Sequence, residues 1–257
     1  MDAGTPLFPR PDLRLRNRYE QTMMNRPFFP RILLSCFLVF PLLISTNALR
    51  AEQYTVDAFG DSITAGWWVY ARDGNGCVRC GGYEPALQSL LKSAGRDAVV
   101  KNWGKGGEFT DQGAGRIDSV ILLDKPRYVL LMEGTNDLAF FSPDTIRKNM
   151  ARMVDVSLAK GVTPILGTIT PDSRGGKPIS QTNALLREVA AQKKIALADH
   201  YAAVKDNWSS LTADGLHPNS AGYSKIAQVW TRAMDEADKM NAPSTSLPPI
   251  LMLLLKE

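Results

Sequence analysis

The sequence predicts an α/β fold of the flavodoxin-like type, a three-layer α/β/α sandwich around a five-stranded parallel sheet. Apolar runs of strand length alternate along the chain with longer segments of helical period, which is the pattern of a parallel sheet covered by helices. Crossovers between parallel strands are right-handed, so the helices are expected on both faces of the sheet. Roughly two hundred residues after the amino-terminal segment are enough for one core and one domain.

Ten segments make up the predicted sandwich. The predicted strands are the apolar runs at residues 54–59, 98–102, 128–133, 163–168 and 195–199. The predicted helices are the segments at residues 83–94, 113–123, 143–159, 182–193 and 220–238. The third helix has the clearest signals: Ser142 and Pro143 are typical N-cap and first-turn residues, and Gly161 is typical of a helix end.

The amino-terminal segment differs from the rest of the chain. Residues 32–44 are a mostly apolar run of thirteen, preceded by two arginines and followed by the small residues 45–48. Such an order is typical of a secretory signal peptide. As a helix the run would be about 20 Å long against roughly 30 Å of hydrocarbon, so a cleaved leader is favoured over a membrane anchor. Cleavage is expected after Ala48, with Ala51 as the second choice.

The chain is therefore expected to have three parts. Residues 1–48 form the leader, whose first 22 residues are an upstream extension if translation begins at the second or third methionine. Residues 49–241 form the folded domain. Residues 242–257 are a linker rich in Pro, Ser and Thr that ends in the apolar run 250–255, which is too short to span a membrane. The tail either docks on the domain, associates with another surface or is disordered, and the sequence does not choose among these.

The net charge of +4 depends largely on the leader. Residues 1–48 carry six of the 30 basic and three of the 26 acidic residues, which leaves 24 and 23 for the remainder. A nearly neutral body without a Lys/Arg cluster has no electrostatic footprint for nucleic acid, so no nucleic-acid partner is expected.

The three cysteines argue against a metal site. Cys36 belongs to the leader, while Cys77 and Cys80 lie in a glycine-rich loop. In an oxidising compartment a disulfide between these two is favoured over free thiols. Zinc would need two further ligands, and His200 and His217 are the chain's two histidines, without a second cysteine pair.

Several polar residues at one predicted sheet edge point to serine chemistry. Ser62 follows the first predicted strand, and a serine attacks only when a base takes its proton. His217 supplies a base, and Asp214 lies three residues before it, near enough to orient the imidazole. The Asn136 side chain and a backbone N–H near Gly107 follow other strands and are candidate donors to a developing oxyanion. Taken singly, serine, glycine and asparagine are also common in turns.

These residues belong to four motifs that occur in order at predicted loops of one sheet edge. The motifs are Gly-Asp-Ser at 60–62, Asn-x-Gly-x-x-Gly at 102–107, Gly-x-Asn-Asp at 134–137 and Asp-x-x-His-Pro at 214–218. Together they resemble the four sequence blocks of the SGNH hydrolases, the GDSL esterase and lipase family, over about residues 54–238. One short motif recurs by chance, but four in this order are specific.

The resemblance implies an esterase that works without a metal or organic cofactor. In that family's terms Ser62 would be the nucleophile, His217 the general base and then the acid, and Asp214 its orienting partner. The Ser62 N–H, the Gly107 N–H and the Asn136 side chain would form the oxyanion hole. The neighbouring Asp61 and Asp137, and also His200, are interpreted as structural.

The expected substrate is a small acyl ester or an acylated sugar. Trp67 and Trp68 follow the nucleophile, and Phe140 and Phe141 follow Asn136, so aromatic side chains are predicted to rim the cleft. An aromatic rim suits an acyl chain or a sugar ring. The alternative for each of these residues is that it packs its loop onto the domain. We therefore expect an exported, periplasmic or secreted esterase of lysophospholipase, arylesterase or thioesterase type. The alternatives are a carbohydrate O-acetylesterase and a non-catalytic glycan- or lipid-binding module.

Overall fold

The predicted five-stranded parallel sheet is present in the computed structural model, which describes residues 52–66 and 81–242. Its strands are β1 (Tyr54–Gly60), β2 (Ala98–Gly104), β3 (Tyr128–Met132), β4 (Thr163–Gly167) and β5 (Leu197–Ala198). They lie in the order β2-β1-β3-β4-β5, and every neighbouring pair is parallel. This is the flavodoxin-like order, so the predicted fold class is confirmed.

Within the described residues all five predicted helices are present, together with three short ones. The helices are α1 (Ser62–Ala65), α2 (Glu84–Ser93), α3 (Thr110–Asp124), α4 (Pro143–Ala159), α5 (Ile179–Lys193), α6 (His200–Val204), α7 (Trp208–Leu211) and α8 (Ser220–Asn241). Single 3-10 turns occupy Asp137–Ala139 and Lys205–Asn207. Helix α4 has the predicted bounds, and the Ser142 hydroxyl accepts a hydrogen bond from the Thr145 N–H.

The structure differs most from the sequence prediction at two helix starts, at the end of the last helix and at the last strand. Helix α8 runs to Asn241, three residues beyond the predicted end at 238. Helices α3 and α5 each begin three residues before the predicted position, and their N-cap residues Phe109 and Pro178 are not among the residue types that usually mark a helix start. Strand β5 has two residues rather than five. It begins two residues after the predicted start and ends one residue before the predicted end, where Asp199 caps α6 and accepts a hydrogen bond from the Ala202 N–H.

Both faces of the sheet are buried under helices, as a three-layer sandwich requires. One face packs against α2 and α8, and Trp230 is the largest side chain of that core. The other face packs against α3, α4 and α5, with Phe59 and Leu131 among its fully buried residues. Since the sheet is parallel, the carboxyl ends of its strands share one edge, where the loops that carry the candidate site begin.

In the described ranges no helix is long and apolar enough to cross a lipid bilayer.

Candidate active site

Ser62 is held at the carboxyl end of β1 by the short helix α1. Asp61 caps this helix, and its carboxyl accepts a hydrogen bond of 2.9 Å from the Ile63 N–H. Gly60 allows the turn to lie directly against β3, because a Cβ there would be 2.3 Å from the Met132 carbonyl oxygen. Ser62 is therefore the first helical residue, 9% exposed, with its side chain toward the Asp214 to His217 loop.

A continuous hydrogen-bonded chain joins Ser62, His217 and Asp214. The Ser62 Oγ lies 3.0 Å from His217 Nε2, and His217 Nδ1 lies 2.8 Å from Asp214 Oδ2. The carboxylate accepts the Nδ1 proton, which leaves Nε2 as the acceptor for the serine hydroxyl. The imidazole is thus placed to take a proton from Ser62.

Asp214 can reach the imidazole of His217, three residues later, because the loop between them folds back on the Asp214 carboxylate. Asp214 Oδ1 accepts hydrogen bonds from the backbone N–H groups of His217, at 2.7 Å, and Leu216, at 2.9 Å. Partial burial alone would raise the pKa of Asp214, but the donors from His217 and Leu216 outweigh it and hold that pKa below its usual value. The aspartate is therefore ionised at neutral pH.

Gly107 and Asn136 lie side by side at the same sheet edge. Asn136 Nδ2 donates a hydrogen bond of 2.9 Å to the carbonyl oxygen of Glu108, the residue after Gly107. Gly107 is exposed and has a φ of +75°, which glycine adopts without strain. The Lys105 N–H of the same loop donates to the Gly60 carbonyl oxygen at 2.8 Å, which ties this loop to the end of β1.

Two buried aspartates support these loops. Asp137 has no exposed surface and accepts hydrogen bonds from the Thr110 N–H at 3.1 Å and the Thr110 hydroxyl at 2.5 Å, so it joins the Asn136 loop to the start of α3. Burial raises the pKa of Asp61 to about 7, although the Ile63 N–H and Thr135 donate to it. Neither side chain is exposed to a ligand, and both hold the loops on either side of Ser62.

An exposed aromatic cluster lies beside the asparagine loop. Phe140 is 74% and Phe141 39% exposed. Both rings meet the ring of Phe109 edge-on, at centroid distances of 5.7 and 5.6 Å. Trp67 and Trp68, the other predicted rim residues, lie outside the described residues, as do the disulfide candidates Cys77 and Cys80.

His200, the second histidine, lies in the core rather than in the site. It is fully buried, its ring meets Trp230 edge-on at 4.5 Å, and burial lowers its pKa to about 3. The ring is therefore neutral and packs like an aromatic residue. Within the described ranges, no three His, Cys, Asp or Glu side chains are grouped so that they could hold a metal ion.

One buried cluster at the site was not foreseen from the sequence. Glu108 and Glu133 have no exposed side-chain surface, and Arg116 from α3 pairs with Glu108. Both glutamates adjoin motif residues, since Glu108 follows Gly107 and Glu133 precedes Gly134. Their position next to the motifs could have marked the two glutamates as candidates. Their contact with Arg116 could not be predicted, because it depends on how α3 crosses the sheet.

Comparison with known proteins identifies the family to which the chain belongs. Residues 58–225 match the model of the GDSL-like lipase/acylhydrolase family. The chain belongs to that family. The matched segment contains Ser62, Gly107, Asn136, Asp214 and His217, so every candidate catalytic and oxyanion residue lies inside the GDSL-family region.

Named relatives agree with this GDSL-family assignment. The chain is 29% identical over 203 residues to Esterase TesA of Pseudomonas aeruginosa, covering 77% of this chain and 95% of that protein. It is 24% identical over 202 residues to Thioesterase 1/protease 1/lysophospholipase L1 of Escherichia coli strain K12, covering 76% and 89%. A solved structure of TesA superposes with a TM-score of 0.61 at 25% identity, covering 71% of this chain and 99% of that one. The chain is thus an ester-hydrolysing enzyme of the GDSL family.

Proposed function

We propose that this GDSL-family enzyme is a serine esterase that hydrolyses carboxylic acyl esters through an acyl-enzyme intermediate. The single observation that carries the proposal is the hydrogen-bonded chain from Ser62 Oγ through His217 to Asp214, with distances of 3.0 and 2.8 Å. A serine, a base within hydrogen-bond reach and a carboxylate that orients the base are what nucleophilic acyl transfer requires.

In the first half of the reaction, Ser62 Oγ attacks the carbonyl carbon of the ester while His217 Nε2 takes the hydroxyl proton. The tetrahedral intermediate collapses when the bond to the alcohol oxygen breaks, and His217 gives its proton to the departing alcohol. In the second half, a water molecule loses a proton to His217 and attacks the acyl-enzyme, which releases the acid and restores Ser62. Asp214 stays ionised and stabilises the protonated imidazole in both halves.

The oxyanion of each tetrahedral intermediate is stabilised by the Ser62 and Gly107 N–H groups and by Asn136. Support comes from the position of the Asn136 amide, which is held by the Glu108 carbonyl oxygen through one N–H and keeps a second N–H for the oxyanion. One such donor contributes about 100- to 1,000-fold in kcat.

For the substrate we propose a small, nonpolar acyl ester or thioester. The cluster of Phe109, Phe140 and Phe141 offers an exposed apolar surface next to the oxyanion side of the site, and Trp67 and Trp68 are proposed to extend it. The names of the two relatives include esterase, thioesterase and lysophospholipase, which fit an apolar acyl group. An acetylated carbohydrate and a non-catalytic binding role are the alternatives that the test below separates.

We further propose that the enzyme is exported. Residues 1–48 would be removed as a signal peptide, residues 49–241 would form the hydrolase domain, and Cys77 and Cys80 would form a disulfide in the oxidising compartment. Residues 242–257 would be a linker with an apolar tail.

The decisive experiment measures hydrolysis of p-nitrophenyl esters from acetate to palmitate, and of an acetylated oligosaccharide, by the wild type and by Ser62→Ala. Removal of the nucleophile is expected to lower kcat by at least about 10³-fold on every substrate, because only binding and the oxyanion donors remain. Ser209→Ala, an exposed serine on α7, is the matched control and should keep the wild-type rate.

Equal rates from the wild type and Ser62→Ala would reject catalysis by this serine. An optimum at butyrate or longer chains supports the acyl-ester proposal. Activity confined to acetyl esters, with the highest rate on the oligosaccharide, would replace it with the deacetylase.

A further inference from the structure

Glu108 is the charged member of a buried cluster behind the proposed oxyanion hole. Arg116 Nε donates to its Oε1 at 2.8 Å and its Oε2 at 2.9 Å. Arg116 is itself fixed, because Nη2 donates to the Trp103 carbonyl oxygen at 2.8 Å and the guanidinium lies 3.9 Å from the centroid of the Phe59 ring. Burial alone would raise the pKa of Glu108, but the hydrogen bonds from Arg116 outweigh it and lower that pKa. Glu108 is therefore a carboxylate.

Glu133 is the neutral member of the cluster. Neither of its oxygens has a hydrogen-bond partner among the described residues, and Arg116 Nη2 stays 4.0 Å from Oε1. Burial raises the pKa of Glu133 well above its usual range, and the Glu108 carboxylate and the charge of Asp61 raise it further. The carboxyl group of Glu133 therefore keeps its proton at neutral pH and has an O–H to donate.

Glu133 is tightly packed against α3. Gly113 of α3 lies so close that a Cβ there would be 2.1 Å from Glu133 Oε2. The Glu108 carboxylate shares this buried site, because Arg116 Nη2 pairs with Glu108 Oε2 and lies 4.0 Å from Glu133 Oε1. The other charged groups that face the pair are Arg116 from α3, Asp61 from the end of β1, and Lys105, whose Nζ lies 3.5 Å from Glu108 Oε1.

Glu108 connects this cluster to both distal oxyanion donors. Its backbone nitrogen is bonded to the carbonyl of Gly107, and its own carbonyl oxygen accepts the 2.9 Å hydrogen bond from Asn136 Nδ2. We propose that Glu133, as a neutral acid, donates to the Glu108 carboxylate and thereby positions the Gly107 N–H and the Asn136 amide for the oxyanion. Glu108, Arg116 and Glu133 are positioning residues, and the inference rests on the proposed esterase function.

The arrangement has a specific pH dependence. Above the raised pKa of Glu133, two carboxylates would face each other with one guanidinium between them, and the Gly107 loop would move to separate them. The Gly107 N–H and the Asn136 amide act on the transition state more than on the bound ester, so kcat should fall at alkaline pH while KM changes little. A glutamine at position 133 keeps an N–H donor for Glu108 and does not titrate, so it should abolish that fall.

The test compares the wild type, Glu133→Ala and Glu133→Gln on p-nitrophenyl butyrate from pH 6 to 10, with spontaneous hydrolysis subtracted. At pH 7 we expect Glu133→Ala to lower kcat by about 10- to 100-fold with KM within about threefold, a fraction of the effect of a lost donor. Glu133→Gln should restore kcat to within about threefold and lack the alkaline fall of the wild type.

Asp57→Asn is the matched control. Asp57 is also a fully buried acid whose pKa is raised, on the same face of the sheet under α3, but it pairs with Asp124 instead of the Gly107 loop. The kcat of Asp57→Asn, and the dependence of that kcat on alkaline pH, should equal those of the wild type. The folded fraction of each variant is measured by near-ultraviolet circular dichroism, so that kcat refers to folded protein.

Wild-type kcat in folded Glu133→Ala would overturn the proposal, and so would a Glu133→Gln as defective as Glu133→Ala. If Glu133→Ala does not fold, the pH profile decides, and an alkaline fall in Glu133→Gln equal to that of the wild type overturns it. A wild type no more active than Ser62→Ala would reject the proposed function and this inference together. An active wild type with unchanged Glu133 variants would reject this inference alone.

Discussion

At the scale of single residues, the two carboxylate oxygens of Asp214 have different hydrogen-bond partners. Oδ2 accepts from the His217 ring at 2.8 Å, whereas Oδ1 accepts from the backbone N–H groups of His217 and Leu216. One carboxylate therefore sets both the tautomer of the imidazole and the shape of the loop that carries it. A substitution that alters the tautomer of His217 but keeps the loop in place would separate these two roles.

Asp214→Asn is that change. The amide oxygen can still accept from the backbone N–H groups, but an NH₂ group facing His217 Nδ1 favours the tautomer that cannot accept from Ser62. We expect kcat on p-nitrophenyl butyrate to fall by about 10³- to 10⁴-fold, as for loss of the orienting aspartate in the serine-protease triad. Thermal unfolding followed by circular dichroism should show a folded protein. A kcat within tenfold of the wild type would contradict the triad role.

The catalytic and oxyanion candidates could be named from the sequence because each sits in a short motif next to a strand end. The buried cluster behind the oxyanion candidates could not be predicted in this way. Glu108, Arg116 and Glu133 are separated by 8 and 17 positions, and they meet because α3 crosses over the end of the sheet. Phe109 was missed for the same reason, since its contacts with Phe140 and Phe141 join two loops.

At the scale of elements, helix α3 covers an acid pair at its carboxyl end too. Asp57 is fully buried within β1, in a run that otherwise reads as apolar. Asp124, the last residue of α3, accepts from Lys101 Nζ at 2.6 Å and Trp103 Nε1 at 2.8 Å, and its charge acts on Asp57. Burial and then Asp124 raise the pKa of Asp57 to about 8, so Asp57 is the protonated member.

This pair makes stability depend on pH in a defined direction. The folded-state pKa of Asp57, about 8, exceeds the unfolded value of about 4, so its contribution is fully present below pH 4 and is lost as the pH rises to 8. Asp57→Asn does not titrate. We therefore expect the free energy of unfolding of the variant, relative to the wild type, to rise by about 2–5 kcal/mol between pH 5 and pH 8.5.

Urea unfolding at the two pH values measures this shift. Asp118→Asn, an exposed aspartate of α3 paired with Lys160, is the control and should change stability by the same small amount at both. A variant-to-wild-type difference for Asp57→Asn that stays constant between pH 5 and pH 8.5 would show that Asp57 is ionised in the folded protein.

The predicted elements were found because apolar periodicity is strong where a helix or strand faces the core. The prediction failed where a single residue sets the boundary. Asp199 stops β5 by capping α6, and α3 starts at Thr110 because its N–H and hydroxyl bind Asp137, which is 27 positions away. A contact over that distance leaves no trace in the local pattern.

At the scale of the whole molecule, one sheet edge carries the entire proposed reaction. Ser62 follows β1, Gly107 follows β2 and Asn136 follows β3, while the loop before α8 brings Asp214 and His217 back to them. The order β2-β1-β3 makes these three strands neighbours with β1 in the centre. The crevice at the end of a central strand is where open parallel sheets place their ligands.

Export is tested on the whole chain. We expect a bacterial host that expresses the full sequence to yield an exported protein that begins at Leu49, or at Glu52 if the second cleavage choice is used. Amino-terminal sequencing of the exported fraction gives the answer directly. A first residue elsewhere would reject the cleavage site, and a protein that keeps residues 1–48 in the cell fraction would reject export by this leader.

The contact between Gly60 and the Met132 carbonyl oxygen also bears on how new substrate ranges can arise on this scaffold. A side chain at position 60 would collide with the Met132 carbonyl oxygen and the Thr64 hydroxyl, so this position cannot vary without displacing the turn that carries Ser62. We expect variation instead at the proposed rim residues Phe140 and Phe141, which are exposed. We expect a library that randomises these two positions to change which esters the enzyme accepts while Ser62, His217 and Asp214 keep their positions.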